Sequence, residues 1–142
     1  MNADVEQPYL ARLIVHYLLG QSDITAIVGQ WVVTDWPHDQ GFPGIRVTQL
    51  GGGTDASGVL GQTVVQIDTR GPGNSDRLAA HNLCELAGRH LRRMHDLVEA
   101  GGVAAVVTNV RVGTARDDLD KDYAPPKPTS QLTASFWATP VL

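Results

Sequence analysis

A run of three glycines is the first feature of this sequence that could do chemistry: Gly51, Gly52 and Gly53. A glycine-rich loop binds phosphate when its backbone N–H groups converge at a helix N-terminus, usually with a lysine and a serine or threonine directly after the glycines. Here the chain continues into "TDASGVLGQTVVQID", which alternates like a strand, and the first lysine is Lys121. Asp55 would repel a phosphate. The pattern therefore favours a connector between two strands over a phosphate-binding loop.

Histidine and cysteine side chains could bind a metal or act in catalysis, but their spacing favours neither role. His81, His90 and His95 belong to one predicted helix, where a zinc pair would need i, i+4 spacing on one face. His81 and His95 point away from the apolar side of that helix, and His90 lies at its edge. Cys84, the one cysteine of the chain, lies next to the apolar side, where a buried and unreactive thiol is expected. We therefore expect no metal and no cofactor.

The segment "WPHDQ" contains a histidine among carboxylates, an arrangement that can orient an imidazole as a general base. His38 lies beside Asp39 and close to Asp35. Neighbours in sequence rarely form such a pair, and no G-x-S-x-G or comparable nucleophile motif accompanies them. A small α+β enzyme that uses His38 and Asp68 stays open as an alternative, whereas the sequence as a whole favours a protein that is not an enzyme.

An acidic run, "RDDLDKD", places four aspartates within six positions: Asp117, Asp118, Asp120 and Asp122. The run lacks the D-x-[DN]-x-[DN]-G order of a calcium loop and its glutamate at position twelve. It is either a solvated loop or a contact with a basic patch on a neighbouring copy. That patch would consist of three arginines of the long helix: Arg89, Arg92 and Arg93. Opposite charges of this kind fix the register of an interface, although the arginines also suit the negative end of a helix dipole.

Length and charge limit the classes of function. With 142 residues the chain is predicted to form one domain, residues 1–142. Its formal net charge of −4 disfavours dedicated nucleic-acid binding, which normally uses a basic excess. No apolar run is long enough for a membrane span, and the N-terminus lacks the pattern of a signal peptide, so we expect a cytoplasmic origin.

Three segments have the periodicity of helices. The first ends at Leu19, and the second follows Ser22 as its N-cap. The second should direct three apolar residues inward: Ile24, Ile27 and Val28. The third lies in "GPGNSDRLAAHNLCELAGRHLRRM". Its predicted apolar stripe consists of Ala79, Ala80, Leu83, Ala87, Leu91 and Met94.

Period-two alternation predicts strands in "QWVVTDW", "GIRVTQL", "QTVVQIDTR", "GGVAAVVTNVRVG" and "QLTASFWATPV". In the fourth of these, four residues should share one face: Val106, Thr108, Val110 and Val112. The element order α-α-β-β-β-α-β-β predicts an α+β domain, in which a mainly antiparallel sheet of about four to five strands has the helices packed on one face. Two long loops, 51–61 and 114–129, stand outside this layout, and such loops tend to be functional.

The polar faces of these strands carry a mixed set of side chains without a catalytic grouping. The set consists of Arg46, Gln66, Asp68, Asn109, Arg111 and Trp137. A surface of this composition is either solvated or aligned against other copies of the chain.

The order of these elements resembles the tail terminator, or tail completion, proteins of long-tailed bacteriophages, especially phages of actinobacteria. The resemblance begins with a helical N-terminal segment and "FPGIRVTQL", followed by the Gly-rich "GGGTDASG". "VVQIDTRG" then leads directly into the helix "SDRLAAHNLCELAGRHLRR". "GVAAVVTNVRVG", an acidic proline-bearing loop and the closing strand "TASFWA" complete it, so that it covers about residues 5 to 140. It rests on element order and loop character rather than on invariant catalytic residues.

The resemblance implies a structural virion protein that acts as a ring of six copies. Such a ring sits on the last ring of the tail tube, stops tube polymerisation and presents a surface to the head-side connector. The genome then passes through the lumen without specific binding. The expected location is the tail or neck of the virion, after assembly in the host cytoplasm. Another neck component, such as a head-completion adaptor or a minor tail protein, stays open as the alternative.

Two sets of residues are the candidate contacts within this hypothesis. The subunit interface would pair the arginines with the acidic run: Arg89, Arg92, Arg93, Asp117, Asp118 and Asp120. The tail tube or the connector would contact the Gly-rich loop: Gly51, Gly52, Gly53, Thr54 and Asp55.

Overall fold

The computed structural model describes residues 9–36, 43–52, 61–71, 77–120 and 127–141. Within these ranges, three helices and seven strands form an α+β domain, as the sequence predicts. In chain order the elements are α1 (Tyr9–Leu19), α2 (Ser22–Val28), β1 (Val32–Val33), β2 (Gly44–Gly52), β3 (Gly61–Arg70), α3 (Arg77–Leu91), β4 (Asp96–Ala100), β5 (Val103–Val112), β6 (Arg116–Asp120) and β7 (Lys127–Pro140).

The seven strands belong to one sheet, in which six follow the order β1-β2-β3-β7-β5-β4 and β6 pairs with β7 outside this path. Strand β7 has 14 residues and pairs with β3 along one side. On its other side, the first part of β7 pairs with β6 and the second part with β5. Every pairing is antiparallel except that of β1 with β2, so the mainly antiparallel sheet is confirmed. The expected four to five strands were too few, because β4 and β6 were missed.

Strand β4 was missed because little in its sequence alternates. It forms a hairpin with β5 through Gly101 and Gly102, which have φ angles of 59° and 77°. Glycine adopts this left-handed backbone conformation without the steric cost that a Cβ atom imposes. In "DLVEA" the exposed residues are the charged Asp96 and Glu99 and the apolar Leu97, and Val98 is the buried residue of the strand. The pair of glycines predicted to open a strand therefore forms the turn of a hairpin.

The segment 114–129 is not a long loop. Residues of β6 pair in register with the beginning of β7, from Arg116 opposite Gln131 to Asp120 opposite Lys127. This pairing uses main-chain hydrogen bonds, which an acidic strand can form without the apolar alternation on which a sequence-based assignment depends. The loop predicted over 51–61 is also shorter than expected, because Gly51 and Gly52 belong to β2 and Gly61 belongs to β3. Residues 53–60 and 121–126 lie outside the described ranges.

One face of the sheet and all three helices share a single apolar core. The alternation predicted for β2, β3 and β7 is confirmed, since the core-facing positions are buried. These positions include Ile45, Val47, Val65, Ile67, Leu132, Ala134, Phe136 and Ala138. Helix α1 contributes four fully buried side chains: Leu10, Leu13, Ile14 and Leu18. Burying a side chain of this size contributes about 1.5–3 kcal/mol, so this stripe anchors α1 on the sheet.

Two details of the helices differ from the predictions. Ser22 is the first residue of α2 rather than its N-cap, which is Gln21 and has no side-chain capping hydrogen bond. Ile24 and Val28 are buried as predicted, but Ile27 is 46% exposed. A seven-residue helix buries only a narrow stripe, and at i+3 from Ile24 the side chain lies beyond its edge.

The shared face predicted for four residues of β5 is wrong, because a β-bulge reverses the alternation in mid-strand. The register shifts between Val107 and Asn109, which leaves Thr108 as the additional residue. Before the bulge, Val107 is buried and Val106 is exposed. After it, Val110 and Val112 turn toward the core and are half-buried.

Among the described residues, no helix has the length and apolar character needed to cross a membrane.

Candidate functional site

The sheet face opposite the helices carries the mixed set of side chains that the strand alternation predicts. Asn109 lies opposite Trp137, and the guanidinium of Arg111 lies 5.7 Å from the centroid of the Trp137 ring. Asn109 and Arg111 are exposed, whereas Trp137 is half-buried. We call this surface the outer face of the sheet.

An ion pair occupies the outer face where β2 meets β3. Arg46 donates from Nε and Nη2 to Oδ2 of Asp68, at 3.2 and 3.0 Å. Nε2 of Gln66 lies 3.0 Å from Oδ1 of the same carboxylate. Oδ2 of Asp68 therefore ties β3 to β2 through Arg46, whereas the contact of Oδ1 with Gln66 lies within β3. His38, the other group of the enzyme alternative, lies outside the described residues.

Trp36 covers one corner of the outer face. Its ring centroid lies 4.0 Å from the guanidinium carbon of Arg70 and 5.5 Å from that of Arg46, both within the range of cation–π contact. A Cβ atom on Gly44 would lie 2.9 Å from the Trp36 ring, so glycine allows this close approach. Arg70 is consequently buried although it belongs to the outer face.

The opposite corner of the outer face is apolar and uncovered. Leu97 lies directly opposite Val106, and they are 57% and 39% exposed. Val141, 48% exposed, continues this register because its N–H donates to the carbonyl of Ala104 at 3.0 Å. These three residues, which we call the apolar corner, are half of the large hydrophobic side chains exposed among the described residues. Exposed apolar side chains grouped in this way are typical of a surface that contacts another protein.

A cluster of hydrogen-bonding side chains joins α3 to β6 and β7. Nδ1 of His81 lies 3.0 Å from Oδ1 of Asp117, and Nε2 lies 2.8 Å from Oε1 of Glu85. The hydroxyl of Ser130, fully buried on β7, donates to the same Oδ1 of Asp117 at 2.8 Å. The i, i+4 spacing of His81 and Glu85 was a signal available in the sequence, but the contact with Asp117 depends on β6.

This cluster contains the residue types of a catalytic triad in an order that does not activate a nucleophile. In a triad the serine hydroxyl bonds the imidazole, which removes its proton. Here the hydroxyl of Ser130 bonds the carboxylate of Asp117, and both nitrogens of His81 already face carboxylates. The cluster therefore stabilises the docking of strands on a helix.

The charges in this cluster shift two pKa values. The hydrogen bond with Asp117, together with the charges of Asp117 and Glu85, raises the pKa of His81. The hydrogen bond from Ser130, followed by the one from His81, lowers the pKa of Asp117. Each shift favours the charged form, as expected for an imidazolium between two carboxylates.

Two other predicted candidates lie in or beside the core. Cys84 is fully buried, as expected, and this burial raises its pKa to about 12. His90, expected at the edge of the apolar stripe, is buried and contacts Asp23 of α2. The exposed His95 contacts the adjacent Asp96 at 3.1 Å.

The predicted basic patch is exposed. Arg89 lies in the last turn of α3, and Arg92 and Arg93 follow the end of the helix. In the part of the chain that the structure describes, none of the three forms an ion pair. Their exposure agrees with the prediction.

The remaining candidate contact residues are only partly described. Asp118 and Asp120 belong to β6, but their side chains lie outside the description. Gly53, Thr54 and Asp55 fall between the described ranges. The assignment of these residues, and of Asp117, to intermolecular contacts stays a prediction.

No group of three or more histidine, cysteine, aspartate or glutamate side chains within the described ranges is arranged to hold a metal ion. Comparison with models of protein families, with curated proteins and with solved structures finds no match for the chain. What bears on function is therefore the arrangement of side chains given above and the order of the elements along the chain.

Proposed function

We propose that this protein is a structural virion component that caps the phage tail tube, ends its polymerisation and joins the tail to the head-side connector as a hexameric ring. The observation that carries the proposal is that the polar side chains of the candidate site bond to other parts of the fold. Asp68, Asp117 and His81 all hold elements of the fold together, whereas the apolar corner and the basic patch are exposed without such a role. The element order resembling tail terminators supports the same conclusion.

A ring requires two different surfaces that fit each other around a closed circle. The basic patch is one such surface, and the acidic strand β6 is the candidate for the other. Within one chain β6 contacts α3 at His81, eight residues before Arg89. At 1.5 Å per residue this separation is about 12 Å along the helix axis. The acidic run of a neighbouring copy is therefore the better partner for the arginines.

The charge of the chain fits a passage for DNA. Its net charge of −4 provides little of the phosphate neutralisation that retains nucleic acid on a protein. The Gly-rich stretch from Gly51 to Asp55, of which Gly51 and Gly52 belong to β2, is the proposed contact with the tube or the connector.

Charge reversal tests the subunit interface. We expect Arg92→Glu with Arg93→Glu to weaken assembly and to lower the melting temperature by no more than a few degrees, because exposed charges contribute little to folding. Arg12→Glu on α1, which is also exposed, is the matched control and should assemble normally. If the double variant fails to fold, the arginines are structural and this interface is wrong.

A binding assay separates the proposed function from its closest alternative. Purified protein is mixed in parallel with polymerised tail tube protein and with head-side connector. A tail terminator binds the end of the tube and prevents further growth. A head-completion adaptor binds the connector and leaves tube growth unchanged.

A further inference from the structure

We propose that His81 is a protonation-dependent latch that holds β6 on α3 while the imidazole is charged and loosens β6 when the imidazole loses its proton. The latch is a property of the folded chain and does not rest on the proposed function. It consists of His81 and Glu85 on α3, Asp117 on β6 and Ser130 on β7.

The positions of the two ring nitrogens carry this inference. Nδ1 of His81 faces Asp117 at 3.0 Å, and Nε2 faces Glu85 at 2.8 Å. An ionised carboxylate can only accept hydrogen bonds, and a neutral imidazole has a single N–H to donate. Only the imidazolium, with two N–H groups, satisfies both contacts at once. Deprotonation therefore leaves one nitrogen lone pair facing a carboxylate.

Asp117 transmits this change to the strand. Its Oδ1 accepts from both His81 and the buried hydroxyl of Ser130, so one carboxylate ties β6 to α3 and to the core side of β7. When His81 is neutral, the contact with Glu85 can keep the single N–H. Asp117 then loses the charge that holds it against α3, so β6 is held mainly by its backbone pairing with β7, and this pairing opens more often.

The other charged groups around the latch support the protonated state. On α3, the positive charge of Arg77 stabilises the negative charge of Asp117, and the negative charge of Glu85 stabilises the positive charge of His81. The residue of β7 that contacts Asp117 is Ser130, which carries no charge. Asp118 and Asp120 of β6 carry further negative charge, although their side chains lie outside the description. The raised pKa of His81 and the lowered pKa of Asp117 agree with this balance.

The signs of these shifts define a pH window. The stability that His81 contributes to the docking of β6 is fully present below the usual histidine pKa of about 6.5. It is lost as pH rises through the higher pKa that His81 has in the folded protein. The stability that Asp117 contributes is fully present above the usual aspartate pKa of about 3.9. It is lost as pH falls through the lower pKa that Asp117 has in the folded protein. Docking of β6 on α3 is therefore strongest in mildly acidic solution and weakens on the alkaline side.

Hydrogen exchange of the full chain tests the latch, with rates divided by the intrinsic rate at each pH. We expect protection of the β6 amides, residues 116–120, to fall several-fold as pH rises, with the midpoint at which the NMR signal of the His81 ring titrates. Residues of β3, which lie inside the sheet, provide the internal reference. The midpoint should lie above the usual histidine value.

Three variants complete the test. His81→Gln and Asp117→Asn keep hydrogen-bonding groups but cannot form the charged pair, so β6 protection should lose its pH dependence. Glu85→Gln removes one carboxylate from the exposed side of the helix and should move the midpoint to lower pH. The proposal is overturned if β6 protection in the unmodified protein does not change across the titration of His81. It is also overturned if His81→Gln retains the same pH dependence or if Glu85→Gln leaves the midpoint unchanged.

Discussion

His90 and Asp23 lie 67 positions apart in the chain, and Nε2 of the imidazole contacts Oδ1 of the carboxylate at 2.8 Å. The same nitrogen lies 3.0 Å from Oδ2. His90 is buried near the end of α3, whereas Asp23 lies in the first turn of α2 and is half-exposed. The contact therefore ties the short helix α2 to the long helix α3 at the edge of the core.

We expect His90→Ala to lower the free energy of unfolding by about 1–3 kcal/mol, because it removes a buried hydrogen-bonding ring and leaves a cavity. Urea denaturation measures the difference. His95→Ala is the matched control, since His95 is exposed and contacts only the adjacent residue in the described structure. Equal effects of the two substitutions would show that the His90 contact does not stabilise the fold.

The same contact predicts a pH dependence at low pH. Partial burial acts to raise the pKa of Asp23, but the hydrogen bond and charge of His90, with two backbone hydrogen bonds, outweigh it and lower the pKa. A carboxylate whose pKa is lowered in the folded state stabilises the fold at pH values above its pKa in the unfolded chain. This stabilisation is lost as pH falls through the pKa of the folded state. Asp23→Asn should therefore be less stable than the unmodified protein near neutral pH, and the difference should vanish in strong acid. A difference that is constant over this range would contradict the linkage.

The turn between β4 and β5 offers a comparison of two adjacent glycines. Both have positive φ, but a Cβ atom on Gly101 would collide with the ring of His16, whereas one on Gly102 would meet no atom within 4 Å. We expect Gly102→Ala to cost about 1–2 kcal/mol for its backbone conformation. Gly101→Ala should cost about 1 kcal/mol more.

Thermal denaturation of both variants measures this difference, and His16→Ala in the Gly101→Ala background should remove the additional loss. Equal melting temperatures for the two glycine variants would show that the His16 ring does not restrict this turn.

Cys84 should resist thiol reagents in the folded protein. Because its pKa is raised to about 12, the thiolate that reacts is scarce at pH 8, and the sulfur is fully buried. A colorimetric thiol assay should show negligible reaction in buffer and complete reaction in denaturant. Rapid modification of the folded chain would mean that the helix α3 opens easily around this position.

The elements that alternate strongly were predictable from the sequence, whereas those held by backbone pairing were not. The stripe of α1 and the alternation of β2, β3 and β7 place large apolar side chains at the correct period. Strand β6 has no such pattern, so "RDDLDKD" was interpreted as a loop. The bulge after Val107 depends on the register of β5 against β7, which no local pattern of β5 reveals.

The side chains of the candidate site were predicted less well than the fold. The spacing of His81 and Glu85 is visible in the sequence, but the third member, Asp117, reaches them only because β6 pairs with β7 beside α3. His90 was placed correctly at the apolar stripe, and its partner on α2 could not be found from local periodicity. The exposure of the three arginines was predicted correctly, but it follows from the helical period only for Arg89, because Arg92 and Arg93 lie beyond the end of α3.

The most direct test of the central claim is the oligomeric state of the purified protein at high concentration, measured by native mass spectrometry and light scattering. Self-association into a ring predicts an equilibrium between monomer and hexamer, or rings of the diameter of a tail. A strict monomer at every concentration, which also fails to bind tail tube protein, would contradict it.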